Sequence, residues 1–376
     1  MSRSLLNLTI HHRYRDLDDG HDLSIEQHRA YHGLQESDRR LGQELTLIGE
    51  LEHAQTTLES LSALGKTDPL SIESATGFSL DSDATDVEDW QKTLQKNVES
   101  SLEARKRKFF KDAVDYILEF FDVNKKLAKR INKANEKLSA LEGQTYRNKK
   151  ETIELSNVDL LEFDDELDFD RLAKRLSAHS AVMDQMFKDY QAHMSVMLDE
   201  LERYYNGEHD QKTLKKAISQ HTKDYLERLK SVDAQDFMGG WTIETPKPQS
   251  MLANDKGEFV NPDTDMPHPP LPMILKENKD SVSARKSVSV PDDVSSIGSV
   301  LEVLEQGNRQ ITESKELVES IFERVKEFRA KDRGIEHWAH TGIEQMRKSL
   351  NARMQLFQAS MNAVERVLKN IQVKES

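Results

Sequence analysis

Apolar residues recur at helical spacing over most of this 376-residue chain. In several stretches they alternate three and four residues apart, which is the pattern of a helix that buries a narrow stripe. The longest stretch keeps this alternation for more than four heptads. Its ten seam positions are Phe110, Ala113, Ile117, Phe120, Asn124, Leu127, Ile131, Ala134, Leu138 and Leu141. A seam of this length predicts a long helix that packs against a partner helix.

Asn124 is the polar member of this seam. A lone polar residue at a seam position commonly fixes the register between two helices, at some expense of stability. We therefore expect a structural role for Asn124.

Capping and stop residues delimit four helices in the first part of the chain. The first spans 24–65, from an N-cap serine to a glycine, and the second spans about 86–143. The third carries an apolar stripe over 172–204 and ends at an Asn-Gly pair, and the fourth spans about 211–232. We expect the second helix to pack antiparallel against the third, with the others covering them.

Eight of the nine prolines lie between positions 246 and 291. Because proline interrupts helices, they mark an irregular island between two helical regions. Period-two patterns in and beside this island predict short strands at 241–245, 258–260, 271–276 and 285–290. We expect two or three of them to form a small sheet.

The C-terminal region predicts an αα-hairpin, with apolar stripes over 297–328 and 335–371 and a break at 331–334. The fold class is therefore mainly α, an elongated helical bundle of coiled-coil hairpins with a small β insert. The predicted segments are an N-terminal tail and helix with a candidate propeptide, a long helical hairpin bundle, a β and proline-rich island, and the C-terminal hairpin. In that order they span 1–73, 74–238, 239–291 and 292–376.

The composition supports helices that expose most of their surface. Charged residues make up 32%, hydrophobic residues 36%, and the mean hydropathy is −0.73. The net charge of −14 argues against wrapping nucleic acid, because phosphate binding needs clustered Lys and Arg. There is no cysteine, which excludes disulfides and thiolate metal sites. The sequence shows no secretory signal and no apolar run long enough to span a membrane, so we expect synthesis in a cytoplasm.

Basic residues cluster on the second helix and form the candidate anion-contacting face of the chain. They are Lys125, Lys126, Lys129, Arg130 and Lys133. Such a stripe can touch DNA or an anionic membrane. The ordinary alternative is pairing with acidic neighbours across a helical bundle, and this chain has a surplus of acidic residues.

Other candidate motifs favour structural interpretations. His28 and His32 have the spacing of a helical metal site but no accompanying ligand motif, so we expect a solvated surface. The acidic run 159–170 lacks the order of a calcium loop, and the Pro-x-x-Pro segment 266–272 reads as a stiff connection. No catalytic, cofactor-binding or metal-binding residues are predicted, since no phosphate loop, nucleophile elbow or cysteine is present.

The segment 24–45, continuing through 48–52 to 58–61, resembles the N-terminal helix of internal head, or prohead core, proteins of large tailed phages. The order of long helices, then a Gly-Gly-strand island at 239–245, then more helix is also similar. The resemblance implies a self-associating structural protein of the capsid interior, made in the host cytoplasm and assembled with other core proteins. From the residues themselves we expect no cofactor, no membrane, no small-molecule substrate and at most weak DNA contact.

The resemblance also implies trimming by a prohead protease, which cuts after Glu in motifs with a small residue two positions before. Ser71, Glu73 and Ser74 fit this pattern inside a linker rich in Ser, Thr, Asp and Gly. Ser24 and Glu26 fit it too, but at a helix start. Two other functions stay open from the residues alone: a cellular coiled-coil adaptor or membrane-surface module, and an enzyme whose site is assembled from several helices.

Overall fold

The computed structural model describes residues 22–63, 87–156, 161, 166–229, 236–237, 241–244, 274–277, 285–291, 293–328 and 333–374. Within these ranges most residues are helical, and three small sheets are added. This confirms the predicted fold class, mainly α with a small β component.

Seven helices run through the described residues. They are α1 (Asp22–Ala63), α2 (Val87–Ser139), α3 (Phe169–Tyr205), α4 (Gln211–Leu229), α5 (Ile297–Glu313), α6 (Lys315–Phe328) and α7 (Arg333–Asn370). The first four match the predicted helices, with ends that shift by a few residues. The first arm of the C-terminal hairpin differs, because Ser314 interrupts it and divides it into α5 and α6.

The ends of α3 follow from local chemistry. At its start, the Asp168 carboxylate accepts a hydrogen bond from the Arg171 N–H, which caps the first turn. At its end, the Asn206 N–H donates to the Glu202 carbonyl, and Gly207 adopts a φ of 76°. Glycine reaches this left-handed conformation without strain, so the predicted Asn-Gly stop is confirmed.

The strands form three separate antiparallel sheets. In the first, β1 (Tyr146–Asn148) pairs with β7 (Ile371–Val373), and in the second, β2 (Thr152–Ser156) pairs with β6 (Arg285–Ser289). The third joins β3 (Asp236–Phe237), β4 (Trp241–Glu244) and β5 (Ile274–Glu277).

The predicted strands at 241–245, 271–276 and 285–290 correspond to β4, β5 and β6, and the small sheet is confirmed. The predicted strand at 258–260 lies outside the described residues. The sequence predicted that Ile371 would belong to the last helix. This prediction is wrong, because Ile371 lies in β7 and pairs with Asn148 of β1. The Lys149 N–H also donates to the Asn370 carbonyl, so the chain leaves the helix there to join β1.

The chain divides into two compact units. The hairpin unit comprises His28–Val123, and the bundle unit comprises Asn124–Ser376 together with the residues up to Gln27. The boundary falls inside α2. The four-segment division drawn from the sequence stays a prediction.

In the hairpin unit, α1 and the first part of α2 run antiparallel. Leu58 packs with Val98 at one end, and the Ser37 hydroxyl donates to the Glu119 carboxylate at the other. Between these contacts each helix buries one apolar stripe. This is the arrangement that the seam predicted for α2, with α1 as its partner in this unit.

In the bundle unit, α3 packs against α4, α5, α6 and α7 and contacts α5 most extensively. The rest of α2 runs antiparallel to α5, because Asn124 contacts Asn308 while Leu138 faces Gly298. The sequence predicted α3 as the main partner of this helix. The polar contacts instead join α2 to α5 and α7.

The interior helix of the bundle unit is α7. From Gly342 to Met361 every side chain is buried except those of Lys348 and Gln355, which are partly exposed. A helix buried on all sides lies in the interior of a protein rather than on its surface. Several of its buried residues are polar or charged, and their partners define the site described next.

Candidate functional site

A reciprocal asparagine pair joins α2 to α5. The Asn124 Nδ2 donates to the Asn308 carbonyl at 3.2 Å and to the Thr312 hydroxyl at 3.1 Å. In return, the Asn308 Nδ2 donates to the Asn124 carbonyl at 2.7 Å and to its Oδ1 at 2.8 Å. Both asparagines are buried. A shift of either helix by one turn would leave these amides unpaired in the interior, so the pair specifies one register.

A buried arginine joins α2 to α7. Arg130 donates to both oxygens of Glu365, at 2.7 Å from Nε and 2.8 Å from Nη2. Its remaining donors reach the Gln358 and Asn362 side-chain oxygens at 2.8 and 2.7 Å. Two parallel hydrogen bonds between a guanidinium and a carboxylate require both groups to be correctly oriented, so they fix the relative orientation of the two helices as well as their separation.

A second buried arginine lies where α3, α5 and α7 meet. Arg353 donates to the Gln310 Oε1 at 2.9 Å, and its Nη1 lies 3.6 Å from an Asp184 oxygen. The guanidinium also lies 5.8 Å from the centre of the Phe357 ring. Burial lowers the pKa of Arg353 to about 10, against the raising effect of Asp184. Burial, together with Arg353, lowers the pKa of His179 to about 3, so this imidazole is neutral at pH 7.

One more charged pair lies on α7 itself. Arg347 donates to both oxygens of Glu344, at 2.7 and 2.6 Å, and both side chains are buried. Burial raises the pKa of Glu344 to about 7, against the lowering effect of Lys348. Burial also lowers the pKa of Arg347 to about 10. The interior helix therefore carries a buried Glu344–Arg347 pair, with Lys348 3.6 Å from the same carboxylate.

Close helix packing accompanies these polar contacts. A Cβ at Gly307 of α5 would lie 2.3 Å from the Cζ of Phe357 in α7. No side chain fits there, so glycine allows the two helices to approach.

The hairpin unit has its own polar contacts. The buried carboxylate of Glu44 accepts hydrogen bonds from Arg105, at 2.9 and 3.1 Å, and from Lys108. Burial alone would raise the pKa of Glu44, but the hydrogen bonds from Lys108 and Arg105 outweigh it, so the pKa is lowered. Lys106 pairs with Glu52 at 3.2 Å. Arg105, Lys106 and Lys108 of α2 are thus matched to acidic residues of α1.

The predicted anion-contacting face is divided by the structure. Lys125 and Lys129 are exposed, whereas Lys126 and Lys133 are half-buried and have interaction partners. Arg130 points into the bundle, drawn there by the carboxylate of Glu365. The five residues therefore do not form one exposed row.

The other candidate motifs are only partly described. His32 is exposed on α1, and the side chain of His28 lies outside the described residues. Within the described part of the chain, no three potential metal ligands come together. Of the acidic run, Asp168 caps α3, whereas most of its members fall outside the described ranges. The segment 266–272 and the processing residues Ser71, Glu73 and Ser74 also lie outside them.

The sequence did not predict that Arg353 would be buried beside Asp184, Gln310 and Phe357. The sequence contained a pattern that could have revealed it, because Met346, Leu350, Arg353 and Phe357 continue the alternation of three and four residues. A charged residue at a seam position is expected to be buried, and it therefore marks a place where the helix must meet a polar partner. Asn308 occupies such a position between Leu304 and Ile311 as well.

These contacts define a class of protein: a helical structural protein in which buried polar pairs hold specific helices together. The family model for phiKZ-like phage internal head proteins matches residues 49–372, and the chain belongs to this family. It is a bacteriophage protein of the head interior, as the resemblance of its first helix implied. No curated protein and no solved structure matches the chain. None of the described helices combines the length and apolar character needed to cross a membrane.

Proposed function

We propose that this protein is a non-enzymatic structural component of the phage head interior that associates with copies of itself and with other capsid or core proteins. The family match carries this proposal. The structure supports it through the buried pairs of Asn124 with Asn308 and Arg130 with Glu365, which fix helices in one arrangement. A protein that builds an assembly benefits from such fixed geometry, since each copy then presents the same surface.

Contact with packaged DNA is expected to be weak. The net charge is −14. Arg130, the one arginine of the predicted anion-contacting face, already forms an ion pair with Glu365. Lys125 and Lys129 stay exposed, which supports only sparse phosphate contacts with a shallow salt dependence.

Processing after Glu73 is the second element of the proposal. It rests on the sequence Ser71-Ile-Glu73-Ser74 and on the resemblance to proteins that a prohead protease trims. Cleavage there would remove residues 1–73 and release a chain that begins at Ser74. That chain would lack the whole of α1.

Mass spectrometry of purified virions tests both elements. The chain should be present in virions, and its first detectable N-terminus should be Ser74. A phage that carries Glu73→Gln should instead retain peptides from residues upstream of 73, while Glu59→Gln should be processed normally. Absence from virions would refute the structural role. An unprocessed N-terminus in wild-type virions would refute the cleavage and leave the structural role standing.

A further inference from the structure

The hairpin unit has a lengthwise groove on one side, between α1 and α2. The groove encloses about 710 Å³ and is lined from α1 by Leu47, Glu50, Leu51 and Ala54 and from α2 by Ala104 and Lys108. Leu47 and Leu51 are only half-buried, and Ala104 is exposed. The groove is therefore an apolar channel that the hairpin itself leaves open.

The apolar character continues along the hairpin beyond this groove. Leu61 of α1 and Leu94 of α2 are partly buried and pack beside the Leu58 and Val98 contact. Two helices bury only one stripe each, and half-buried leucines beside that stripe are typical of bundles with more than two helices.

The charges of the two helices differ in sign along this groove. The part of α1 from Leu41 to Ala63 contains four glutamates and no lysine or arginine. The stretch of α2 from Ala104 to Lys111, which follows Glu99 and Glu103 and lies beside the first half of this α1 segment, contains five basic residues and no acidic one. Within one hairpin, Glu44 already binds Arg105 and Lys108.

We propose that, in the chain before any cleavage after Glu73, this groove binds the same groove of a second copy, so that two hairpin units form a four-helix bundle. A two-fold axis that runs along the groove, parallel to the helices, brings the acidic α1 of one copy opposite the basic stretch of α2 in the other. The leucines of both copies then cover each other, and Glu50 on one copy faces Lys108 on its partner. An isologous contact needs such a self-complementary surface. This inference rests on the proposed self-association of the protein and assigns that self-association to the groove.

Ala104→Arg tests the groove directly. This change adds a charged side chain at an exposed position inside the groove and removes no buried group. Wild-type protein should sediment as a dimer, and Ala104→Arg should weaken that association by about tenfold or more, because its long side chain fills the space in which the leucines of the two copies meet. Thr46→Arg is the control, since Thr46 is exposed on α1 and does not line the groove. Circular dichroism should show the same helical content in all three proteins.

Because the chain has no cysteine, one cysteine can be introduced at a chosen position and cross-linked specifically. Ser101 lines the groove, so Ser101→Cys should form covalent dimers with a short bis-maleimide reagent, and Thr46→Cys should not.

The outcomes separate the inference from the function on which it rests. If wild-type protein associates but Ala104→Arg associates equally well, the groove is not the surface, and self-association through another face stands. A wild-type chain that stays monomeric at all concentrations overturns the groove and the proposed self-association together. The groove inference is upheld only if Ala104→Arg dissociates, Thr46→Arg does not, and the groove cysteine cross-links.

Discussion

Two glycines of α5 have very different surroundings. A Cβ at Gly307 would lie 2.3 and 2.7 Å from ring atoms of Phe357, whereas a Cβ at Gly298 would lie 3.6 Å from Leu138. The first distance is a clash with a buried ring, and the second is an ordinary contact. The difference shows that Gly307 is required by packing between helices, since both positions are helical.

Gly307→Ala should therefore lower the free energy of unfolding by about 1–3 kcal/mol, because overpacking forces Phe357 or the helix to move. Urea unfolding followed by circular dichroism measures this difference. Gly298→Ala is the matched control in the same helix and should be neutral or stabilising by up to about 1 kcal/mol. Equal effects of the two substitutions would contradict the close approach of α5 and α7.

His179 gives the bundle unit a predicted sensitivity to acid. Its pKa is about 3 in the folded protein and 6.5 as a free group, so the unfolded chain binds a proton in this window and the folded chain does not. Stability should consequently fall as the pH drops from 6.5 toward 3. The loss by pH 4 should be on the order of 3 kcal/mol from this group alone.

His179→Gln should remove that part of the pH dependence, since glutamine does not titrate. The measurement is urea unfolding at pH 7 and pH 4. His53→Gln, at an exposed position of α1, is the matched control substitution. The same loss of stability at pH 4 in wild type and His179→Gln would show that His179 is not buried as a neutral group.

At the scale of the elements, the seam of α2 was predictable and its partners were not. The seam residues from Phe110 to Ala134 are all buried, because a repeat of three and four residues itself encodes which face of a helix is apolar. The repeat contains no information on which helix covers that face. The expected partner was α3, whereas Asn124 and Arg130 contact α5 and α7.

The short strands show a related limit. The strands β4, β5 and β6 carry enough alternation to be recognised, whereas β1, β2 and β7 were not predicted and each pairs with a segment far away along the chain. Ile371 fits the apolar stripe of α7 as well as it fits a strand. Ile371 adopts the strand conformation because it pairs with Asn148, which is far away in the sequence. Local pattern alone does not contain such pairings.

The Asn124 and Asn308 pair should behave as one coupled unit. Asn124→Ala and Asn308→Ala should each cost about 1–3 kcal/mol, because each leaves a buried amide without its partner. The double variant should cost less than the sum of the two, with a coupling energy of about 1–3 kcal/mol in a double-mutant cycle.

Asn132→Ala provides the matched control for this cycle, since Asn132 is exposed on the same helix. Combined with Asn308→Ala it should give additive effects within about 0.5 kcal/mol. Additive effects for Asn124 and Asn308 as well would mean that the pair does not link α2 to α5 in solution.

At the scale of the whole chain, polar groups buried around α7 limit the arrangements that the helices can adopt. A purely apolar interior would tolerate helices sliding by a turn, whereas the buried Arg130 and Arg353 meet their carboxylate partners, Glu365 and Asp184, in the observed arrangement. Removing either partner of a buried pair is strongly destabilising, so incorrect arrangements are disfavoured. This property suits a structural protein of the head interior.

The most direct test of this account is protease protection in purified virions. Intact virions and virions with opened capsids are treated with a nonspecific protease, and peptides from α2 and α7 are then quantified by mass spectrometry. The account predicts full recovery of these peptides from intact virions and their loss once the capsid is opened. Digestion of the chain while the capsid is intact, or its absence from virions, would contradict a structural role inside the head.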